Sequence, residues 1–303
     1  MTADTFTPET FTPETFTYAE MTKRNAGFVT ADEQARLRDA RVFIAGVGGM
    51  GGAAFMALVR AGIGHFTIAD LDVFEVSNLN RQLFANLATV GASKAASAAE
   101  AARHINPEIE ITVMGAEWVE RLDDIAPAHD ILVNGMDDSA AGVELYRRAA
   151  YHGRTVIDAY ASPLPSVTVV RPDDPRPETR LGYPTIGVPW REVTAEMRVQ
   201  CLMREIEYVL VHSSSHLHVD LEIAAEVAAG KRSRFSFSTM VTMAGTLMAE
   251  ETVRRVLGRK GGADYRGYFF NPHQVRVERP LPAPIAAAKR LVVRRFMQKM
   301  MAG

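Results

Sequence analysis

The residues able to do chemistry fall in two runs close together in the chain. The first is a set of glycines at positions 46, 48, 49, 51 and 52, and the second is Asp70-Leu-Asp72, Ser77-Asn78-Leu79-Asn80-Arg81-Gln82 and Gly91-Ala-Ser-Lys94. Gly46, Gly48 and Gly51 have the G-x-G-x-x-G spacing. Between a strand and a helix, the first permits a tight bend, the second lets a phosphate approach the backbone and the third lets helix and strand pack closely. Gly49 extends the small, open surface that phosphates would meet. Asp70 stands where a carboxylate accepts hydrogen bonds from a ribose hydroxyl. Any dinucleotide dehydrogenase with this turn offers as much. The residues after Asp70 separate the two cofactor classes, because a nicotinamide cofactor's pyrophosphate is held mostly by backbone N–H groups. A triphosphate carries about four negative charges and needs fixed Arg and Lys donors. Arg81 and Lys94 supply the cations, and Asn78 and Gln82 supply orienting amides.

These groups need a sheet to hold them. Val42 to Ala45 is a short apolar run that predicts a buried parallel strand, followed by the glycines and a helix over 53–61. His65 to Ala69 predicts the second strand, ending at Asp70. After Lys94 an Ala-rich helix runs to Asn106-Pro107, where proline stops it. Further strands are expected at Glu110–Met114, Asp130–Asn134, Thr155–Ala159 and Val167–Arg171, with a helix over 139–151. Acids at the carboxyl end of a strand in an open α/β sheet lie at the ligand crevice. Asp137 and Asp138 follow the fourth strand, and one of them is an N-cap candidate for the next helix. Asp158, ending the fifth, is a reserve candidate.

The GVGGMG turn, the DLDVFEVSNLNRQ and VGASK segments and Asn106-Pro107 together resemble the ThiF/MoeB-type adenylyltransferases, relatives of the ubiquitin-activating enzymes. The resemblance spans roughly residues 24–171 and returns weakly at 236–257. It implies an α/β, Rossmann-like, doubly wound and mostly parallel sheet with flanking helices, here carrying an insertion and a C-terminal helix. It also implies ATP and Mg2+ as cofactors, with Asp137 as the magnesium-associated aspartate. Arg24 is the nearest match to the family's arginine that enters the partner subunit's nucleotide site, and a homodimer is implied by that role. A solvated surface arginine is the alternative. The substrate class implied is a ubiquitin-like or sulfur-carrier protein, or a peptide, with no nucleic acid. Many such proteins carry two CxxC pairs for zinc. This chain has one cysteine, Cys201, so no structural zinc is expected.

Composition fits an intracellular globular protein. The 303 residues are 47% apolar with a formal net charge of −2, and no apolar run is long enough to span a bilayer, so a cytoplasmic location is expected. Three regions are expected: residues 1–29 as an N-terminal extension with a TFTPE repeat, 30–278 as the adenylyltransferase domain with an insertion at about 172–234, and 279–303 as a basic C-terminal helix. Pro8 and Pro13 forbid a regular helix in the repeat. Tyr18 to Leu37 reads as two helical pieces, with Thr30 and Glu33 forming a capping box. In the insertion, a helix over Glu192–Val211 carries Cys201, which has no base nearby in sequence and reads as a buried small side chain. His216, His218 and Asp220 alternate as on one strand face, but a polar loop or strand describes them better than a metal cluster. Phe235 to Leu257 reads as a long core helix. Gly267–Asn271 and Gln274–Glu278 read as a hairpin. The helix Ala286–Met301 places Val292, Phe296 and Met300 on one side; its cations read as a solvated face on a packed terminal helix or a dimer contact, with an acidic carrier protein or membrane surface as the alternative.

The expected chemistry is adenylation: a carboxylate attacks the α-phosphorus of ATP and pyrophosphate leaves. Gly46, Gly48 and Gly49 would admit the phosphates, Asp70 the ribose and Asp72 the ribose or metal. Arg81 and Lys94 would neutralise pyrophosphate, Asn78 and Gln82 would orient its oxygens and Asp137 would bind magnesium. Each has a plain alternative: Asn78 and Asp72 can cap turns, and Gln82 can sit on a helix surface. Two other functions stay open, an NAD- or FAD-dependent oxidoreductase and a catalytically silent nucleotide-binding scaffold.

Overall fold

The structure is a computed structural model that describes residues 16–228 and 231–302. Most of the TFTPE repeat, up to residue 15, lies outside the described residues. In chain order the helices are α1 (Tyr18–Thr22), α2 (Ala31–Asp39), α3 (Gly49–Ala61), α4 (Lys94–Arg103), α5 (Leu122–Ala128), α6 (Ser139–Tyr151), α7 (Pro177–Leu181), α8 (Ala195–His212), α9 (Leu221–Ala228), α10 (Ser238–Val256) and α11 (Ala283–Ala302). The strands are β1 (Arg41–Ala45), β2 (His65–Ala69), β3 (Glu110–Met114), β4 (Ile131–Asn134), β5 (Thr155–Asp158), β6 (Ser166–Val170), β7 (Tyr268–Asn271) and β8 (Arg276–Glu278).

The strands form one sheet in the order β3-β2-β1-β4-β5-β6-β7-β8. β1 to β5 pair in parallel, and β6 to β8 extend the sheet antiparallel. The chain leaves β1 towards β2 on one side and returns to β4 on the other, so the topological switch point lies between β1 and β4. Pleating sends alternate β1 residues to opposite faces. Val42 and Ile44 pack with Leu58, Ala98 and Met248 from α3, α4 and α10, while Phe43 pairs with Trp118, Leu122 and Leu145 on the face covered by α5 and α6. Both faces are buried around β1, as the centre of a parallel sheet requires.

Helix α3 begins at Gly49, four residues before the start expected from the sequence. Glycine's low helix propensity argues against that start, but α10 overrides it. A Cβ on Gly49 would lie 2.7 Å from Val241, and one on Gly245 would lie 2.5 Å from the Ala53 Cβ, so the glycines let α3 and α10 cross closely. The N-terminal pieces form as expected. Thr30 and Glu33 close their capping box, and Glu33 also holds Arg259 at 3.0 Å.

Two expectations need correction. Ser215–His218 is a 3-10 turn followed by α9, not a strand, so His216, His218 and Asp220 do not share a strand face. His218 stacks on His273 with centroids 4.3 Å apart and faces Asn271, and among the described residues no group of three or more His, Cys, Asp or Glu is arranged to hold a metal. In α11 the buried stripe is Ala286, Val293 and Met297, packed with Val211 of α8, and Val292 is exposed. Part of its basic face is spent within the chain: Arg290 and Arg294 both pair with Glu207 of α8, at 3.2 and 2.9 Å. No described helix is long and apolar enough to cross a membrane.

Candidate nucleotide site

The end of β1 runs into Gly46, whose φ of +84° is left-handed and suits a residue without a Cβ. A Cβ there would lie 2.8 Å from the carbonyl carbon of Gly135 at the end of β4, and one on Gly135 would lie 2.6 Å from the Gly51 Cα. Gly46, Gly51 and Gly135 thus interlock, and the turn closes at the switch point. Gly48 is the N-cap of α3 and no side chain caps the helix, leaving its first N–H groups without a side-chain acceptor. Such a terminus favours an anion. Of the three glycines assigned to phosphates, Gly46 serves the bend and Gly49 the contact with Val241. Only Gly48 faces an opening, where a Cβ would meet nothing nearer than the Gln82 amide at 3.5 Å.

A chain of polar contacts locks the second run to this turn. The Val47 N–H donates to Asp70 at 2.9 Å and the Asp72 N–H donates to its other oxygen at 3.1 Å. The Lys94 ammonium donates to Asp72 at 2.8 Å, and the Lys94 N–H to the Asp72 carbonyl at 3.0 Å. Burial pushes the Asp70 carboxyl above its ordinary range, while the two amides and Lys94 pull the other way. With both oxygens already accepting a backbone N–H, Asp70 retains only its remaining lone pairs for a ribose.

Gln82 is buried, and its side-chain oxygen has no hydrogen-bond partner among the described residues. The amide nitrogen is the Gln82 atom nearest Gly48, and the orphaned oxygen behind it is costly unless a donor or water completes it. Asn78 is also buried, but its side-chain oxygen accepts from Glu75 N at 3.0 Å, so it closes its own turn, the plainer of its two expected roles. Arg81 is folded back, donating to the Ser77 carbonyl and to Asn80, each at 2.9 Å. Asn80 in turn holds the Ser236 carbonyl at 2.9 Å, tying this loop to the segment that enters α10.

On the β4 side, Asp138 caps α6 by accepting from Ala140 N at 2.9 Å and also meets Arg198 of α8. Asp137 is exposed beside it. Of the pair, Asp138 is therefore the N-cap and Asp137 is left facing solvent. Arg24 is exposed on a 3-10 turn whose next residue, Asn25, bonds the Ala61 carbonyl at the far end of α3. It thus lies at the end of α3 opposite its own chain's glycine turn. Cys201 is buried, and burial raises its thiol to about 11. A hollow of about 410 Å³ between Arg36, Asp39, Asp130 and Arg255 opens at the opposite end of the strands and has no part in this site.

Sequence reasoning missed the groups that hold Asp158, its reserve candidate at the end of β5. Asp158 accepts from Tyr146 Oη at 2.6 Å and Asn134 Nδ2 at 2.9 Å, and burial raises its carboxyl to about 7. The Asn134 oxygen accepts from Met136 N at 3.3 Å, steadying the turn that carries Asp137. A polar residue ending a buried strand was the available signal for Asn134. Nothing in the local pattern signals Tyr146 or Arg198.

A model described as ThiF family matches residues 22–290. The chain is similar to the molybdopterin-synthase adenylyltransferase of Escherichia coli (strain K12), 41% identical over 119 residues, which is 38% of this chain and 46% of that protein. The match thus spans under half the length of that relative. Among solved structures, PaaA covers 91% of this chain and 86% of its own at 18% identity and a TM-score of 0.60. Escherichia coli MccB with ATP covers 82% and 66% at 17% identity and a TM-score of 0.59. At those identities the two structures share the fold.

Proposed function

The chain belongs to the ThiF family, and from that premise we propose that it is an ATP- and Mg2+-dependent adenylyltransferase. Its substrate would be the C-terminal carboxylate of a ubiquitin-like or sulfur-carrier protein, or of a peptide. The observation that carries the reading is the continuous linkage from the uncapped turn at Gly48, through Asp70 and Asp72, to the buried Lys94 ammonium. A helix terminus with a cation held beside it suits a triphosphate better than a dinucleotide.

In the proposed reaction a carboxylate oxygen attacks the α-phosphorus, an acyl–phosphate bond forms and the bond from the α-phosphorus to the bridging oxygen breaks. Pyrophosphate leaves with that electron pair. The α3 terminus and Gly48 would receive phosphate oxygens, Gln82 would donate to them through its Nε2 amide, and Lys94 and Arg81 would offset the growing charge. Arg81 would first release Ser77 and Asn80. Asp70 and Asp72 would hold the ribose end. Bound Mg2+ would neutralise phosphate charge, and Asp137, exposed and free of the capping role, fits a site in which one carboxylate joins phosphate oxygens and water. Arg24 would serve the partner's site in a homodimer, and the insertion at 172–234 would shape the acyl side.

ATP–pyrophosphate exchange tests the reading. Labelled pyrophosphate should enter ATP when the enzyme meets Mg2+ and a carrier or peptide acid. Tight ATP binding with no exchange for any acid would instead indicate the silent scaffold, and preference for NADH over ATP would indicate the oxidoreductase.

A further inference from the structure

We propose that Arg180 is the specificity residue of a carboxylate-binding pocket beside the nucleotide crevice, closed by Tyr160 and Tyr208, that receives a second acidic group of the acyl substrate. Its assignment to that substrate rests on the adenylation reading.

Arg180 lies on α7, within the insertion. All three guanidinium nitrogens are buried and none has a hydrogen-bond partner among the described residues. The guanidinium carbon sits 4.7 Å from the Tyr208 ring centroid and 5.7 Å from that of Tyr160. Ring faces attract the cation but satisfy no N–H. Both ring hydroxyls donate to the Arg266 carbonyl, at 2.8 and 2.9 Å.

Loose packing does not explain the orphaned donors, because Arg147 in the same interface is fully served. It donates to Glu178 through Nε at 3.2 Å and Nη2 at 2.5 Å, and to the Val188 and Thr185 carbonyls, each at 2.8 Å. The neighbouring acids accept from other donors and not from this guanidinium. Asp158 is held by Tyr146, Asn134 and Ala159 N, and Glu205 by Ala161 N at 2.5 Å, and burial pushes both towards the neutral form. The interior therefore holds a guanidinium whose N–H donors meet no acceptor at hydrogen-bond geometry among the described residues, and buried unmet donors are costly. A planar fork of donors fits a carboxylate bidentately. The proposed site adjoins the crevice: Tyr160 follows the carboxyl end of β5, and Asp158 there is bonded to Asn134 at the end of β4.

The test begins without nucleotide. Ligand-free Arg180→Met should unfold at or above the wild-type temperature, since it removes buried unmet donors. A guanidinium that merely holds the fold would lower it, or the variant would fail to fold, and either result overturns the proposal. Succinate, as probe, should raise the wild-type unfolding temperature saturably while succinamide does not, and Arg180→Met should bind succinate about tenfold or more weakly. Equal effects of succinate and succinamide, an undiminished response in Arg180→Met, or a response to inorganic phosphate alone would each overturn it. In pyrophosphate exchange, peptides with a second acid near the C-terminus should exceed their amide counterparts, and Arg180→Met should erase the difference. Equal exchange for both overturns the substrate assignment while leaving adenylation standing. Absence of exchange with either, alongside a succinate response, counts against adenylation itself.

Discussion

The Lys94 ammonium lies 2.8 Å from the Asp72 carboxylate, with the lysine side chain 9% exposed and the aspartate side chain 73% exposed. A buried cation is thus held at the crevice by an acid that solvent largely screens, so the pair is weak enough to yield to a stronger anion. Lys94→Met should keep the fold and lower exchange by roughly 2–4 kcal/mol of transition-state stabilisation. Rate measurements on correctly folded protein check this, and full activity would remove Lys94 from the site.

Gly48 and Gly51 should separate binding from folding. A methyl on Gly48 meets only the Gln82 amide at 3.5 Å, whereas one on Gly51 would drive into the Gly46 carbonyl. Gly48→Ala is expected to lose ATP affinity with the smaller fall in melting temperature, and Gly51→Ala to lose the fold. Unchanged ATP affinity in a folded Gly48→Ala would mean that phosphates do not approach there.

Asp158 gives a pH dependence. Its ordinary value of 3.8 is raised to about 7 in the folded chain, so between those values the folded state keeps a proton that the unfolded state has lost. The associated stability is present below the unfolded value and is lost as pH rises through about 7. His212, lowered to about 4, contributes in the opposite sense, with stability lost as pH falls from its ordinary range. The difference between wild type and Asp158→Asn isolates the carboxyl: denaturation should show wild type losing stability relative to the variant from about pH 4 to about pH 7. Parallel profiles would contradict the buried, raised acid.

Cys201 should prove inert. Its thiol is buried and raised to about 11, so little thiolate exists near neutrality. Cys201→Ala should retain exchange, and a thiol reagent should label the native protein slowly. Rapid labelling or loss of exchange would return the thiol to the mechanism.

Arg24, at the far end of α3 from its own chain's glycine turn, is expected to act across a dimer. Arg24→Ala and Lys94→Met, each inactive alone, should recover about a quarter of full activity after subunit exchange, since only hybrids carry an intact site. An active Arg24→Ala or a monomeric active enzyme would discard this role.

The sheet was legible because each strand is a short apolar run with a defined end. β2 and β3 fall at the expected residues, and the glycines and Asp70 mark the switch point. The start of α3 was not legible, because local propensity gave no sign that α10 would cross there. The same holds for Arg81, whose spacing suggested a phosphate ligand but whose ligand-free side chain finds acceptors in its own loop. In α11 the shift from Val292 to Val293 as the buried position depends on where α8 lies. Arg180 and Tyr146 come together only when the insertion folds over β5, and no local period records that.

The central claim is that the opening at Gly48 and the cations beyond β2 grip one triphosphate. A crystal structure with ATP and Mg2+ tests it most directly. The account requires density for the phosphates between the α3 terminus, Gln82 and Lys94, with Arg81 swung off Ser77 and Asn80 onto them. Nucleotide bound elsewhere, with Lys94 still on Asp72 and Arg81 still on its own loop, would contradict it.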